Sequence, residues 1–229
     1  RTCVMSETPI LIVDDEAPIR RLLRTGLATQ GFQVFEAATA AEGEALLARE
    51  RPDALLLDLG LPDKDGLDLI REMRARKDTT PIIVLSARGE ERAKIDALDL
   101  GADDYVTKPF GIGELVARIR TALRHRVQQQ GGEPVYERGG LFVDLSRRLV
   151  RCDGTDVKLS PKEFEILRLL VTHAGKVLTH RMLMREIWGG GGDVQYLRIY
   201  VRQLRQKLER HPDRPERILT ETGVGYRLA

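Results

Sequence analysis

Residues 54–58 read Ala-Leu-Leu-Leu-Asp, an apolar run that stops at the carboxylate of Asp58. Three similar runs also stop at polar residues: 10–13 before Asp14 and Asp15, 82–85 before Ser86, and 105–107 before Lys108. A helical pattern follows each run. Because alternating strands and helices favour a parallel sheet whose strands end at one edge, these polar side chains are expected to share one crevice.

The first half of the chain repeats this alternation five times. Strand patterns near 10–13, 33–37, 54–57, 82–85 and 104–107 are separated by helical patterns near 17–30, 40–50, 66–76, 90–100 and 112–125. Thr39, followed three residues later by Glu42, predicts a capping box at the second helix. The pattern predicts an α/β domain over residues 8–125, with a doubly wound, five-stranded parallel sheet.

The second half follows a different pattern. The polar segment 126–134 contains Gln-Gln-Gln-Gly-Gly-Glu-Pro and is predicted to be a flexible linker. Short alternating segments then cover 135–159, and Ser160 with Glu163 predicts a capped helix. Two more helices and a terminal hairpin over 218–228 follow. This order predicts a winged helix-turn-helix α+β domain at 135–229.

Composition limits the class of protein. The chain is 42% hydrophobic and 31% charged, and its longest apolar runs fall well short of the ~20 residues of a membrane helix, so no membrane insertion is expected. Its two cysteines, Cys3 and Cys152, indicate no disulfide framework and favour the cytoplasm. Residues 1–125 have a net charge of −4 and residues 135–229 of +6. The basic half favours nucleic acid as a partner, although chance surface composition would explain the same charge.

The polar residues at the strand ends suit a particular reaction. Carboxylates, a hydroxyl and an amine in one crevice favour Mg²⁺-assisted phosphoryl transfer onto a carboxylate, with Asp58 as nucleophile. Lys108 and Ser86 would offset charge on the phosphoryl oxygens. Taken alone, an acidic pair before a helix is explained by the helix dipole. The predicted ligands of Mg²⁺ are Asp14, Asp15, Asp58 and the backbone carbonyl of Gly60.

The third helix of the second half has two distinct faces. Leu197, Val201, Leu204 and Leu208 form an apolar stripe that predicts core. On the opposite face Ile199 lies among Arg and Gln, which is unusual for a solvated surface and suits a major groove. The predicted base-reading residues are Gln195, Arg198, Ile199, Arg202 and Gln203. Arg205 and Lys207, on the shoulders, are predicted to contact phosphates.

These residues resemble those of bacterial response regulators. The receiver resemblance rests on Asp14-Asp15, Asp58, Ser86 and the stretch 103–110, DDYVTKPF. The second half resembles the OmpR/PhoB winged-helix effector through 159–164, LSPKEF, and 223–227, GVGYR. Three stretches are similar to family members that respond to potassium limitation: 108–115, KPFGIGEL; 196–208, YLRIYVRQLRQKL; and 218–226, ILTETGVGY.

The resemblance implies that a sensor histidine kinase phosphorylates Asp58, that Ser86 and Tyr105 act as a switch pair, and that the protein binds promoter DNA of a potassium-uptake operon. It implies a homodimer through the fourth helix, fifth strand and fifth helix. The matching charges are Lys94 with Glu114, Asp104 with Arg118, and Asp99 with Arg120. The wing is implied to enter the minor groove, with Thr222 where many relatives have arginine. The resemblance also implies RNA polymerase as a partner, which the family can contact through the loop before the third helix; here four glycines, 189–192, replace the longer segment expected there.

Two other functions remain open on the sequence alone. The first is a phosphohydrolase that uses Asp58 covalently, which would need an added acid–base group. The four histidines, His125, His173, His180 and His211, all lie outside the expected crevice, so an enzyme is not expected. The second is a signalling module whose basic half binds protein or RNA. Sequence-selective, salt-dependent binding of duplex DNA would argue against that function.

Overall fold

The computed structural model of the chain describes residues 8–87, 91–130 and 135–229, with the backbone alone for 124–130. The chain divides into two compact units, Arg1–Arg126 and Val127–Ala229. Among the described residues, none of the helices is long and apolar enough to cross a membrane. Cys3 and residues 131–134 of the predicted linker lie outside the described residues.

The first unit is the predicted α/β domain. Its elements are β1 (Thr8–Val13), α1 (Ala17–Ala28), β2 (Phe32–Ala37), α2 (Ala40–Glu50), β3 (Ala54–Asp58), α3 (Gly66–Ala75), β4 (Ile82–Ser86), α4 (Glu91–Leu100), β5 (Asp104–Thr107) and α5 (Ile112–Gln130). The strands form a parallel sheet in the order β2-β1-β3-β4-β5. The predicted five-stranded sheet is therefore confirmed.

One boundary in this region differs from the prediction. Residues 126–130 were predicted to belong to a flexible linker, but they form the last turn of α5. The segment Val127-Gln128-Gln129-Gln130 contains no Gly or Pro, and Gln is a good helix former, so nothing in it stops the helix.

Burial and capping explain the first unit. The central strands β1, β3 and β4 are buried along most of their length, as expected for parallel strands covered on both faces. At α2 the Thr39 side chain accepts from the Glu42 N–H at 3.2 Å, and the Ala38 N–H donates to Glu42 Oε2 at 2.8 Å. Because all five strands are parallel, their carboxyl ends lie on one edge of the sheet.

The second unit is the predicted winged helix-turn-helix domain. Its elements are β6 (Val135–Arg138), β7 (Leu141–Asp144), β8 (Leu149–Cys152), β9 (Thr155–Asp156), α6 (Pro161–Thr172), β10 (Leu178–Thr179), α7 (His180–Trp188), α8 (Val194–Leu208), β11 (Ile218–Glu221) and β12 (Gly225–Leu228). One antiparallel sheet has the order β6-β7-β8-β9, and the other has the order β10-β12-β11. The strand β10, which pairs with β12, was not predicted from the sequence.

The helix α8 is fixed by its apolar stripe and by polar contacts at both ends. All four stripe residues are buried: Leu197, Val201, Leu204 and Leu208. Asp193 caps the start, its side chain accepting from the Gln195 N–H at 2.8 Å. Glu163, in the predicted capping box of α6, pairs with Lys207 at 2.7 Å. These contacts turn the opposite face of α8 toward solvent.

Candidate functional site

Three carboxylates converge at the ends of β1 and β3. Asp14, Glu16 and Asp58 each offer an oxygen, and these oxygens lie within 4.8 Å of one another. The strands are neighbours in the sheet, with Val13 beside Leu57, so the residues that follow them come together. Asp14 is fully buried, Asp58 is partly buried and Glu16 is exposed.

The third carboxylate of this cluster is Glu16, whereas the sequence predicted Asp15. The Glu16 N–H donates to Asp14 Oδ1 at 2.9 Å, which turns the chain after β1 and returns the Glu16 side chain to the cluster. Asp15 is exposed. The signal in the sequence is that Glu16 is the third acidic residue in the run Asp14-Asp15-Glu16.

The ammonium of Lys108 lies at the centre of the carboxylates. Its Nζ is 3.0 Å from Asp14 Oδ2, 3.2 Å from Glu16 Oε1 and 2.7 Å from Asp58 Oδ2. The backbone N–H of Lys108 donates to the backbone carbonyl of Ser86 at 2.7 Å, which continues the pairing of β5 with β4. Burial lowers the pKa of Lys108, but hydrogen bonds with Asp58 and Asp14 outweigh it and hold the pKa above its ordinary value. The side chain is therefore a cation at neutral pH.

The donor set fits a divalent cation. Burial raises the pKa of Asp14, and the hydrogen bond from Lys108 offsets only part of this effect, so further positive charge beside this carboxylate would be favourable. The ligand atoms are oxygens, which hard cations prefer. Gly60, predicted to offer its carbonyl, contacts Asp58 through its N–H, which donates to Oδ1 at 3.3 Å. The cluster can therefore hold a divalent metal.

The predicted switch residues lie beside this edge of the sheet. Ser86 ends β4 and is buried, and its hydroxyl donates to the Val106 carbonyl at 3.5 Å. Tyr105 is half-buried in β5. Its ring centroid lies 5.2 Å from the ammonium of Lys94, which also donates to Thr107 Oγ1 at 3.0 Å.

The six residues predicted for the dimer interface lie on α4, β5 and α5, but several have partners within the chain. Lys94 is only 9% exposed because it packs on β5, so it does not present a free charge on the surface. Arg118 pairs with Asp104 at 2.8 Å and with Glu114 at 2.9 Å. Arg120 donates to Gln30 Oε1 at 3.4 Å. Asp99, on α4, is half-buried.

The second candidate site is the solvent-facing side of α8. Five predicted base-reading residues are exposed there: Gln195, Arg198, Ile199, Arg202 and Gln203. Ile199 is 52% exposed, and Tyr196, one turn earlier, is 57% exposed. Tyr196 was not predicted, although an aromatic residue outside the apolar stripe was visible in the sequence. Thr222 is exposed in the turn between β11 and β12, the wing.

The shoulder residues of α8, Arg205 and Lys207, both make contacts within the chain. The Arg205 guanidinium donates to the Ile218 carbonyl and to Thr220 Oγ1, at 2.6 Å and 2.8 Å from Nη2. Lys207 pairs with Glu163 and donates to the Lys158 carbonyl at 3.2 Å. Both cations were predicted to contact phosphates. Helical spacing predicts the direction in which each side chain leaves the helix. It does not predict which partner the charged group at the end of a long side chain contacts.

Two known families match the two units. The response regulator receiver domain matches residues 10–120, and the C-terminal domain of transcriptional regulatory proteins matches residues 154–228. The chain belongs to the response regulators that join these two domains, as predicted. Such a receiver implies a sensor kinase partner, and such a C-terminal domain implies DNA binding. This membership fits a regulatory role rather than an enzymatic one.

Individual relatives agree with this assignment. The KDP operon transcriptional regulatory protein KdpE of Escherichia coli (strain K12) is 50% identical over 223 residues, covering 96% of this chain and 99% of the relative. The transcriptional regulatory protein KdpE of Mycobacterium tuberculosis (strain ATCC 25618 / H37Rv) is 44% identical over 224 residues, covering 96% and 99%. The solved receiver domain of the Francisella response regulator 1452 is 31% identical with a TM-score of 0.50, covering 52% of this chain and 99% of that chain.

Proposed function

We propose that a sensor histidine kinase phosphorylates this protein on Asp58, and that the phosphorylated form regulates transcription of a kdp-type potassium-uptake operon. The observation that supports the phosphorylation site best is the Lys108 ammonium, 2.7 Å from Asp58 Oδ2 and 3.0 Å from Asp14 Oδ2. The names of the relatives, which cover nearly the whole chain, support the operon. A protein that binds a bacterial promoter acts in the cytoplasm, so this location is part of the proposal.

The reaction assigns a task to each group around Asp58. An Asp58 oxygen attacks the phosphorus of a phosphohistidine, the new O–P bond forms, and the N–P bond breaks. The departing imidazole nitrogen keeps the electron pair and takes up a proton. Lys108 and the Gly60 N–H hold the two Asp58 oxygens, and Lys108 offsets charge on the phosphoryl group.

The metal in this proposal is Mg²⁺. When bound, it supplies positive charge beside the phosphoryl oxygens. The residues proposed to hold it are Asp14, Asp58, the Gly60 carbonyl and one of the two acidic residues that follow Asp14. Asp15 was the candidate from the sequence, and the position of the Glu16 carboxylate adds Glu16 to it.

The proposed output is a dimer on DNA, in which the receiver domain and α5 are followed by a linker after Gln130 and by the effector domain 135–229. Ser86 and Tyr105 respond to the phosphoryl group, and the face of α4, β5 and α5 pairs two receivers. The exposed side of α8 then enters a major groove, the wing enters the adjacent minor groove, and the DNA-bound dimer contacts RNA polymerase. Two tethered effector domains would thus bind repeated half-sites.

A phosphohydrolase is a weaker alternative. Multiple turnover needs a general base near Asp58 with a pKa close to neutral. Lys108, which contacts Asp58, has a pKa held above its ordinary value and stays protonated. Hydrolysis of the phosphorylated form is therefore expected to be slow, with about one phosphoryl group consumed per chain in a multiple-turnover assay.

A genome-wide map of bound DNA tests the proposed function. The map should show phosphodonor-dependent occupancy at a potassium-uptake promoter. The same map with Asp58→Asn, which keeps the size of the side chain but removes the nucleophile, should lose that occupancy. Promoter occupancy that is independent of phosphodonor and of Asp58 would reject control by phosphorylation. Occupancy only at promoters unrelated to potassium uptake would reject the proposed target operon.

A further inference from the structure

The helix α8 holds Ile218, the first residue of the wing hairpin, by both of its main-chain groups. Arg205 donates to the Ile218 carbonyl from Nε at 3.0 Å and from Nη2 at 2.6 Å. Glu209, one turn later, accepts the Ile218 N–H at Oε1, at 2.7 Å. Ile218 is 0% exposed, and a buried main-chain donor and acceptor each need a partner. The side chains of Arg205, in the last turn of α8, and of Glu209, its C-cap residue, supply both partners.

The position of β11 explains why these contacts matter. In the sheet order β10-β12-β11, β11 is an edge strand, so its outward main-chain groups have no neighbouring strand. Glu209 also accepts from the N–H groups of Glu216 and Arg217, both at Oε2, at 3.1 Å and 3.2 Å. Arg205 lies in the last turn of α8, and Glu209 is the C-cap residue, whose N–H donates to the Arg205 carbonyl at 2.9 Å, so the two residues are neighbours at the end of the helix. Together they attach the edge of the wing to α8.

We propose that Arg205 and Glu209 are positioning residues for DNA recognition, which fix the angle between α8 and the wing. This inference rests on the proposed function, because the ligand is duplex DNA read in adjacent major and minor grooves. If the wing is held at a fixed angle to α8, it reaches the minor groove when α8 enters the major groove. Binding then does not carry the entropic cost of ordering the hairpin. Arg205 would act through the wing rather than by touching a phosphate.

Two variants of Arg205 in the full-length chain separate these roles. Arg205→Met keeps the stem and removes the donors, and Arg205→Lys keeps the charge but cannot reproduce the forked contact. Both should lower affinity for the promoter by about tenfold and remove the hydroxyl-radical protection of the minor groove, while major-groove protection persists. The slope of log K against log salt should stay unchanged, whereas loss of a phosphate contact would reduce it by about 0.9.

Glu209→Met is the sharpest variant, because an acidic side chain does not bind a phosphate. Electrostatics alone predicts that removing this negative charge tightens DNA binding. The positioning role predicts weaker binding and the same loss of minor-groove protection. Arg202→Ala is the matched control on the outward face, and it should keep the wing footprint. Glu209→Met that tightens binding with an intact footprint would overturn the proposal.

Hydrogen exchange without DNA gives a separate test. Arg205→Met and Glu209→Met should speed exchange across the wing hairpin, Ile218 to Leu228, whereas Arg202→Ala should not. The proposal would be overturned if hydrogen exchange of the hairpin were unchanged in these variants. A salt slope lower by about one in Arg205→Met, together with DNA affinity restored in Arg205→Lys, would instead identify a phosphate contact. A wild-type chain that binds no duplex would reject the proposed function, while the exchange of the hairpin would still decide whether α8 holds the wing.

Discussion

The guanidinium of Arg118 donates two hydrogen bonds to the carboxylate of Asp104 in the same chain, from Nη1 to Oδ1 at 3.0 Å and to Oδ2 at 2.8 Å. Burial lowers the pKa of Arg118, but the Asp104 charge outweighs it and raises the pKa above its ordinary value. A dimer that pairs Asp104 with Arg118 of a second chain must exchange this contact for an equivalent one. Such an exchange adds little affinity and mainly fixes the register of the two receivers.

The first prediction concerns this pair. Arg118→Glu places a third acidic side chain beside Asp104 and Glu114, so it should repel both within the chain and across a dimer. Phosphorylation-dependent dimerisation and DNA binding should weaken at least tenfold, a free-energy change of about 1.4 kcal/mol, while phosphorylation of Asp58 persists. Sedimentation velocity with and without phosphodonor measures the effect. Arg71→Glu, on the exposed side of α3, is the control. Unchanged sedimentation in Arg118→Glu would exclude this pair from the interface.

The second prediction concerns Lys94. The sequence predicted this side chain for the dimer interface, but its ammonium contacts Thr107 and the Tyr105 ring within the chain. Lys94→Met keeps the apolar stem and should lower the free energy of unfolding of the unphosphorylated chain by about 1–2 kcal/mol. Urea denaturation measures this loss. A variant as stable as the wild type would mean that Lys94 makes no useful contact in the monomer.

The third prediction concerns pH and Asp14. Burial raises the pKa of this carboxyl above its ordinary value of 3.8, so the folded chain binds the proton more tightly than the unfolded chain. Wild-type stability from this group therefore falls as pH rises from the ordinary pKa through the raised one, and stays lower above it. Asp14→Asn removes the titrating carboxyl and with it this loss of stability, so the variant should be more stable than the wild type at neutral pH. The difference should shrink as pH falls.

Urea midpoints between about pH 4 and about pH 8 measure this difference. Mg²⁺ gives the complementary comparison, since a ligand that binds only the folded state at ten times its Kd stabilises by about 1.4 kcal/mol. It should stabilise the wild type and have little effect on Asp14→Asn. A stability difference that is constant across pH would contradict the assigned role of burial at Asp14.

The fourth prediction concerns base reading by α8. Arg202 is exposed near the middle of the outward face. Arg202→Ala should cost roughly 1–3 kcal/mol at the promoter site and relax preference at one base pair, because base edges differ between sequences. Titrations on promoter and scrambled duplexes at matched salt measure the change. Equal losses on both duplexes would place Arg202 on the DNA backbone.

Sequence periodicity predicted the features that depend on the alternation of strands and helices. The apolar runs before Asp14, Asp58 and Lys108 indicated parallel strands, and parallel strands bring their carboxyl ends together. The apolar stripe of α8 likewise indicated which face of the helix is buried. These predictions succeeded because burying the apolar faces of strands and helices is the dominant favourable contribution to folding. The spacing of apolar residues in the sequence shows which faces are buried.

The features that periodicity could not predict depend on local turns and on long side chains. The turn after β1 brings Glu16 rather than Asp15 to Lys108, and periodicity does not specify the dihedral angles of a turn. Arg205 and Lys94 reach partners on other elements, and their flexible stems allow many end points. The two-residue strand β10 is too short to show a pattern. A local turn decided the first outcome, and contacts between distant parts of the sequence decided the others.

Intact-mass analysis joined to a DNA titration tests the central claim most directly. The chain is incubated with Mg²⁺ and acetyl phosphate, its mass is measured, and the same sample is titrated onto the promoter duplex. The proposed mechanism predicts one added phosphoryl group and tighter DNA binding in the wild type, and neither in Asp58→Asn. A phosphoryl group that persists in Asp58→Asn, or DNA affinity that does not change on phosphorylation of the wild type, would contradict it.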